Sequence, residues 1–308
     1  MRTWIAKAII QKLISFLPFG HRINYFFQKY ITRGVRLTDE LFEDKLLHIK
    51  QHLYAFQKHS RNPWDYSVLE LGTGWFPVIP VCLYMTGARE IITVDINPLM
   101  KKQNVKKTFK KIIEYYNNNK LHDFLGDIRQ DRVEIIKKSL YSFNNVQINE
   151  LLQELNIRYV VNDIRKISIR DNSIDLIISN NTFEHIKAEH LKDMLLSFKK
   201  FIVPGGVMSH FIDMTDHFAH IDKTITVYNF LKFSDKQWSL IDNRIQPQNR
   251  LRLPDYRLLY KNAGIDITEE INRDHDINII KTIKLDSKFK TSPMEDIAVT
   301  HSQIISLI

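Results

Sequence analysis

The chain has a single cysteine, Cys82, in 308 residues. An internal disulfide is therefore impossible and a cysteine-ligated metal centre is excluded, so a reducing compartment, the cytoplasm, is the natural expectation. Acidic residues are missing from the first 36 positions, which carry seven basic ones: Arg2, Lys7, Lys12, Arg22, Lys29, Arg33 and Arg36. The formal net charge of +9 thus concentrates +7 in this segment and leaves only +2 for the other 272 residues. The body lacks the interleaved basic and aromatic residues that make a stacking platform for single strands, and nucleic acid is not an expected partner. Long apolar runs are missing too. Lys7 and Lys12 interrupt the N-terminal one, which neither spans a membrane nor forms a signal peptide. No compact spacing of His and carboxylate ligands recurs, and no metal is expected.

What is present is organised around Val68-Leu69-Glu70-Leu71-Gly72-Thr73-Gly74-Trp75-Phe76-Pro77. An apolar run ends in an acid and a Gly-x-Gly turn, and an apolar segment then runs to Met85, closed by Gly87. This reads as strand, tight turn and helix. The glycines let backbone N–H groups approach a ligand, and the helix directs its positive end at an anion. Ile91-Ile92-Thr93-Val94-Asp95 is a second strand ending in an acid. Its carboxylate follows the glycines by about twenty residues, the spacing of a group that grips ribose hydroxyls. Asn162-Asp163-Ile164 ends a third strand, and residues 174–180 form a strongly apolar fourth, ending at Asn180.

In this order the segments resemble the class I S-adenosylmethionine-dependent methyltransferases, specifically their small-molecule, type 11-like branch, over residues 68–213. Glu70 to Gly74 resembles the first motif of that family, Val94-Asp95 the second, and residues 174–186 with Asn180 and Glu184-His185-Ile186 the fourth. Val203-Pro204-Gly205-Gly206 resembles the turn before the fifth strand. The resemblance implies a Rossmann-like α/β fold with a seven-stranded sheet, mostly parallel, with a C-terminal antiparallel hairpin. It also implies S-adenosyl-L-methionine as cofactor. Glu70 would orient the loop or the methionine ammonium, Gly72, Thr73 and Gly74 would contact the amino-acid end, and Asp95 would accept from the ribose. Ile96 and Asn97 would follow in the cofactor site, with capping of a helix from residue 98 an equal role for Asn97. Asp163 would accept from the adenine amino group, and the Ile164 N–H would face a ring nitrogen. Phe76 stands where the family often has a third glycine, so the mouth of the site is bulkier here.

Candidate bases cluster after the fourth and fifth strands. His185 opens a helix where the family often has a histidine near the cofactor. His210, Asp213, Asp216, His217, His220 and Asp222 crowd thirteen residues. Asp213, His217 or His220 would deprotonate an acceptor hydroxyl; a polar loop with ordinary caps and surface histidines is the plainer reading. Residues 4–17 read as a basic amphipathic helix with Ile5, Ile9, Leu13, Phe16 and Leu17 on its apolar face, open to packing on the protein, covering the acceptor pocket or lying on an anionic membrane surface.

The expected organisation is a helical extension over 1–60 and a methyltransferase domain over 61–308, with an acceptor-pocket insert at about 214–276. Within it, residues 21–56 and 98–119 read as helices, 133–136 as a strand, and 277–285 with 297–305 as the antiparallel pair. The acceptor is expected to be a small molecule, a lipid or a sugar-linked group, at a protein that is cytoplasmic or peripheral at a membrane's inner face. An RNA methyltransferase, an NAD-dependent oxidoreductase and a non-catalytic cofactor-binding module remain as alternatives.

Overall fold

The structure, a computed structural model, describes residues 3–17, 36–60, 64–143, 146–244, 246–273 and 276–308. Seven strands form one sheet: β1 (Ser67–Leu71), β2 (Glu90–Asp95), β3 (Ile157–Val161), β4 (Ile174–Asn180), β5 (Ile202–Asp213), β6 (Glu269–Arg273) and β7 (His301–Leu307). Their order is β3-β2-β1-β4-β5-β7-β6. The first five run parallel, while β7 is antiparallel to both β5 and β6. This is the mostly parallel Rossmann-like sheet with antiparallel C-terminal strands that the resemblance implied. From β1 the chain turns first to β2 on one side and later to β4 on the other. The carboxyl ends of β1 and β4 therefore flank a switch point, where ligands of open α/β sheets bind.

Helix α1 (Thr3–Ser15) precedes α2 (Asp39–His59), whose Thr38 cap accepts from the Leu41 N–H at 3.3 Å. Phe42, Leu46, Ile49, Leu53 and Phe56 lie on the buried face of α2 at helical spacing. They pack in one core with α3 (Val78–Met85), α4 (Lys102–Asn117) and α5 (Gln130–Ser142). A second core, on α6 (Ala188–Phe201), contains Leu191, Leu195 and Phe198. A third joins α1 to residues 218–241, including α7 (Asp235–Ile241).

Three expectations change. The strand at 133–136 is part of α5: Val133 and Ile136 are fully buried, and Leu140 and Phe143 continue their spacing as a helical face. Four residues are too few to separate the two periods. The antiparallel partner of β7 is Glu269–Arg273, while Ile277–Lys281 and Met294–Ala298 are short helices. The polar β6 carries no apolar alternation because it is an edge strand, tied by Arg257 to Glu270. The helix expected from residue 98 begins at Lys102, so Asn97 is not its cap. Of residues 21–56, 21–35 lie outside the described residues, as do Tyr25, Phe26 and Phe27.

Helix α1 docks through the face that carries Trp4. Trp4, Ala8, Gln11 and Ile14 are buried, and Ile9, Leu13, Phe16 and Leu17 are exposed. Trp4 packs against Phe218 and Phe233, its backbone N–H donates to Asp222, and Lys12 donates to the carbonyls of Ser239 and Asp242.

Candidate active site

The glycine turn leaves β1 with Gly72 at φ +90° and Gly74 at φ +68°, backbone angles that glycine adopts without strain. Gly72 N–H donates to the Val94 carbonyl at 2.8 Å, tying the turn to β2. Asp95 closes the loop from the other side. Its carboxylate accepts from the Gly74 N–H and from the Asn97 N–H, both at 3.0 Å. Burial raises the Asp95 pKa against these backbone bonds. Glu70 points inside rather than to the cleft. It accepts from Thr93 Oγ1 at 2.5 Å, and Thr93 also bonds Thr73. Burial pushes the Glu70 carboxyl up to about 7, opposed by Thr93 and by the charge of half-buried Lys45 on α2. Of the two roles expected for Glu70, holding the loop is the one its hydrogen bonds favour.

Ile96, beside Asp95, is 68% exposed, and nothing lies within 4 Å of a Cβ placed on Gly74. Asn180 ends β4 with Oδ1 accepting from His52 Nε2 at 2.9 Å. His52 Nδ1 in turn accepts from Ser209 Oγ, which Gln303 fixes. That chain leaves Asn180 Nδ2 buried without a partner. Asp163 is already engaged: its oxygens accept from the Arg165 backbone and guanidinium, and that guanidinium holds its carboxyl below the usual range. Ile164 is buried in the turn behind it.

A cluster of histidines and carboxylates forms where β4 and β5 stop. Asp213 faces His217 Nε2 at 3.4 Å, His220 Nε2 at 3.9 Å and His301 Nε2 at 3.5 Å. Burial alone would raise its carboxyl, but His217, His220 and the nearby charge of His301 hold it well below the usual range. His185 Nδ1 donates to the Pro247 carbonyl at 2.6 Å, and its ring lies 5.1 Å from that of His217. Burial lowers the His185 pKa to about 4, so the ring is neutral with a free Nε2 lone pair. Glu184 is 2% exposed, and neither carboxylate oxygen has a hydrogen-bond partner. Burial and the Asp213 charge drive its pKa well above normal.

The six-residue histidine and aspartate cluster divides. His210 stacks between Phe183 and Phe198 with Nδ1 on Ser179, buried in the core. Asp216 caps a turn and accepts from Asn229, and Asp222 accepts from Trp4 and Thr224. Only Asp213, His217 and His220 face the site. Several residues about it were not singled out from the sequence. Thr182 donates to the Leu71 and Asn180 carbonyls, joining the first and fourth strand ends. Asn249 donates to the carbonyls of Phe183, Glu184 and Ile186, fastening the 214–276 insert to the β4 turn. Single amide or hydroxyl side chains in loops carry no periodic signal. A cavity of about 20 Å³, lined by Lys7, Gln11, His217, Phe218, Trp238 and Gln248 among others, separates α1 from this end. A wider groove of about 890 Å³, lined by Leu47, Tyr54, Trp64 and Phe124 among others, holds none of the predicted site residues.

The cleft fits the group the resemblance implies. The open space at Gly74, the exposed Ile96 and the unpartnered Asn180 Nδ2 leave room and a free donor beside the glycine turn. The strand order is that of the Rossmann-like methyltransferase fold. Residues 131–209, from α5 to β5, match the family model described as "Methyltransferase domain". No curated protein sequence matches the chain. Among solved structures, geranyl diphosphate C-methyltransferase of Streptomyces coelicolor is similar at 10% identity and TM-score 0.46, over 89% of this chain and 86% of that one. A SAM-dependent methyltransferase of Leishmania major is similar at 10% identity and TM-score 0.47, over 99% of this chain and 83% of that one.

Proposed function

We propose that the protein is an S-adenosylmethionine-dependent methyltransferase that acts on a small-molecule, lipid or sugar-linked acceptor by in-line methyl transfer. One observation carries the reading: Asp95 and the glycine turn, twenty-one residues apart at Gly74, meet through the 3.0 Å hydrogen bond. This makes a ribose-height carboxylate beside a backbone cradle. Gly72, Thr73 and Gly74 would hold the amino-acid end, Asp95 the ribose and Ile96 one face of the adenine. Asn180 Nδ2 would donate to the same ligand. When bound, the cofactor's sulfonium supplies an activated methyl group, so positioning accounts for much of the acceleration. Asp213, with His217 and His220, would take the acceptor's proton. The match to a methyltransferase domain supports this over the oxidoreductase alternative.

The test is calorimetric titration with S-adenosylmethionine, S-adenosylhomocysteine and NADH, with Asp95→Ala as control. One-to-one binding of the first two, weakened at least tenfold in the variant, is expected. Binding of NADH alone would replace the reading with the oxidoreductase one.

A second reading concerns location. The outward face of α1 exposes Ile9, Ile10, Leu13, Phe16 and Leu17 within the segment that holds +7 of the formal charge. That combination suits an anionic lipid surface, with apolar side chains entering the headgroup boundary.

A further inference from the structure

We propose that Glu184, His185 and His217 bind one divalent first-row transition-metal ion at the acceptor end of the cleft. One ligand atom from each of these residues lies within 4.8 Å of the others, without any ion present. Glu184 and His185 come from the turn after β4, and His217 from the turn after β5, so the set exists only once the two strands are paired.

Three features distinguish this set from an ordinary polar cluster. Glu184 is buried, yet both of its oxygens lack a hydrogen-bond partner. A buried carboxylate left without partners costs free energy unless a cation or proton completes it. His185 donates through Nδ1 to the Pro247 carbonyl, which fixes the tautomer and leaves Nε2 as a lone-pair donor. Metal-ligating histidines are ordinarily oriented by such a backbone acceptor. His217 is in turn faced by Asp213 at 3.4 Å, a carboxylate placed to orient the ring. Two imidazoles and a carboxylate with no thiolate select among Mn²⁺, Fe²⁺, Co²⁺ and Zn²⁺ rather than Ca²⁺ or Mg²⁺.

The role of the ion rests on the methyltransferase reading, with His217 then a ligand rather than part of the base; its binding does not. An acceptor hydroxyl on the ion would lose its proton to His220, which faces Asp213 and is 59% exposed and so hands the proton to solvent. The resulting oxygen would take the methyl group, the O–C bond forming as the methyl–sulfur bond breaks and the sulfur of S-adenosylhomocysteine keeping the electron pair.

The test uses the full-length protein, stripped with chelator and titrated with Co²⁺ in the visible region and with Zn²⁺ by calorimetry. One ion per chain is expected, with affinity reduced at least tenfold in His217→Ala and in Glu184→Gln. The exposed His122→Ala variant is expected to stay within twofold of the parent. S-Adenosylhomocysteine affinity should remain within twofold in all three variants. Should Glu184→Gln fail to fold, His217→Ala carries the comparison, because its ring is partly exposed. Binding no tighter in the parent than in a His185→Ala/His217→Ala double variant would overturn the proposal and leave Glu184 a neutral carboxylic acid. If S-adenosylhomocysteine binds and Co²⁺ does not, this proposal alone fails. If Co²⁺ binds and S-adenosylhomocysteine does not, the cofactor reading fails and the metal site stands.

Discussion

The side chain of Thr182 occupies the space into which any side chain at Gly72 would project. The contact joins the loop after β1 to the loop after β4, and Gly72 also holds a φ of +90°. Gly72→Ala therefore meets both backbone strain and a steric clash, expected to cost about 3 kcal/mol of stability. It should weaken S-adenosylhomocysteine binding more than tenfold, read by calorimetry. Adding Thr182→Ala removes the closest contact, that with Oγ1, but neither the Cβ contact at 3.2 Å nor the strain, and should recover part of the loss. A Gly72→Ala protein with unchanged melting and affinity would contradict this account of the turn.

Arg252 is expected to be the costliest polar residue to remove from the insert. Its guanidinium is buried and donates to the carbonyls of Met214, Ile297 and Val299. Burial lowers its pKa to about 10, leaving it charged at neutral pH. Arg252→Met should cost on the order of 3 kcal/mol, because buried carbonyls lose charge-assisted donors. Urea denaturation measures it, and a loss below about 1 kcal/mol would show that water replaces the guanidinium.

Acid should destabilise the protein well above the range of ordinary carboxylates. Burial holds His52 and His210 down to about 3 and His185 to about 4. The unfolded chain takes up these protons near pH 6.5 and the folded chain does not. The stability they support is complete above about pH 6.5 and is lost as pH falls towards 3–4, by up to about 1.4 kcal/mol per pH unit for each ring. Glu70, raised to about 7, acts in the opposite sense: its contribution is complete below about 4.5 and is lost as pH rises through 7. The difference between the parent and His210→Gln isolates one imidazole. Parallel plots of denaturant midpoint against pH for the two proteins would refute its buried neutral state.

Trp4 anchors α1 through Phe218 and Phe233. Trp4→Ala should remove about 3 kcal/mol from docking of α1 while leaving the sheet intact. Limited trypsin digestion would then cut after Lys7 or Lys12 many times faster, with little change in the main melting transition. A lowered main transition without faster cleavage would make α1 part of the body's own core.

The outer face of α1 offers a separate test. The parent should float with vesicles containing phosphatidylserine, and Leu13→Glu/Phe16→Glu should not. Equal flotation of both, or of neither, argues against lipid contact through that face.

Strand ends with acids and glycines were legible because each local signal serves one purpose: Gly72, Gly74, Asp95 and the apolar β4 lie where the sequence puts them. Short stretches whose apolar residues serve either period were not. Val133 to Ile136 is helical only in the company of Leu140 and Phe143, and β6 is a polar edge whose pairing is decided by β7. The polar cluster after β4 and β5 was half legible. His217 and Asp213 stood out as residue types, but Glu184 takes its meaning from burial without a partner, which no spacing announces. Which face of α1 docks was left open by the sequence: docking follows Trp4, with Lys12 reaching backbone carbonyls, rather than the larger apolar row.

The sheet order bears on how the chain assembles during synthesis. β7 lies between β5 and β6 although it follows both in sequence, and α1 rests on residues more than 200 positions later. The half of the sheet built from β1 to β4 can pair as it emerges from the ribosome. β6 has no sheet neighbour until residues 301–307 have been made, and Trp4 waits for the 218–238 segment. Such long-range closure is slow and leaves strand edges bare meanwhile. The nascent protein should therefore depend on chaperones most in the interval after β5 and before β7 appears.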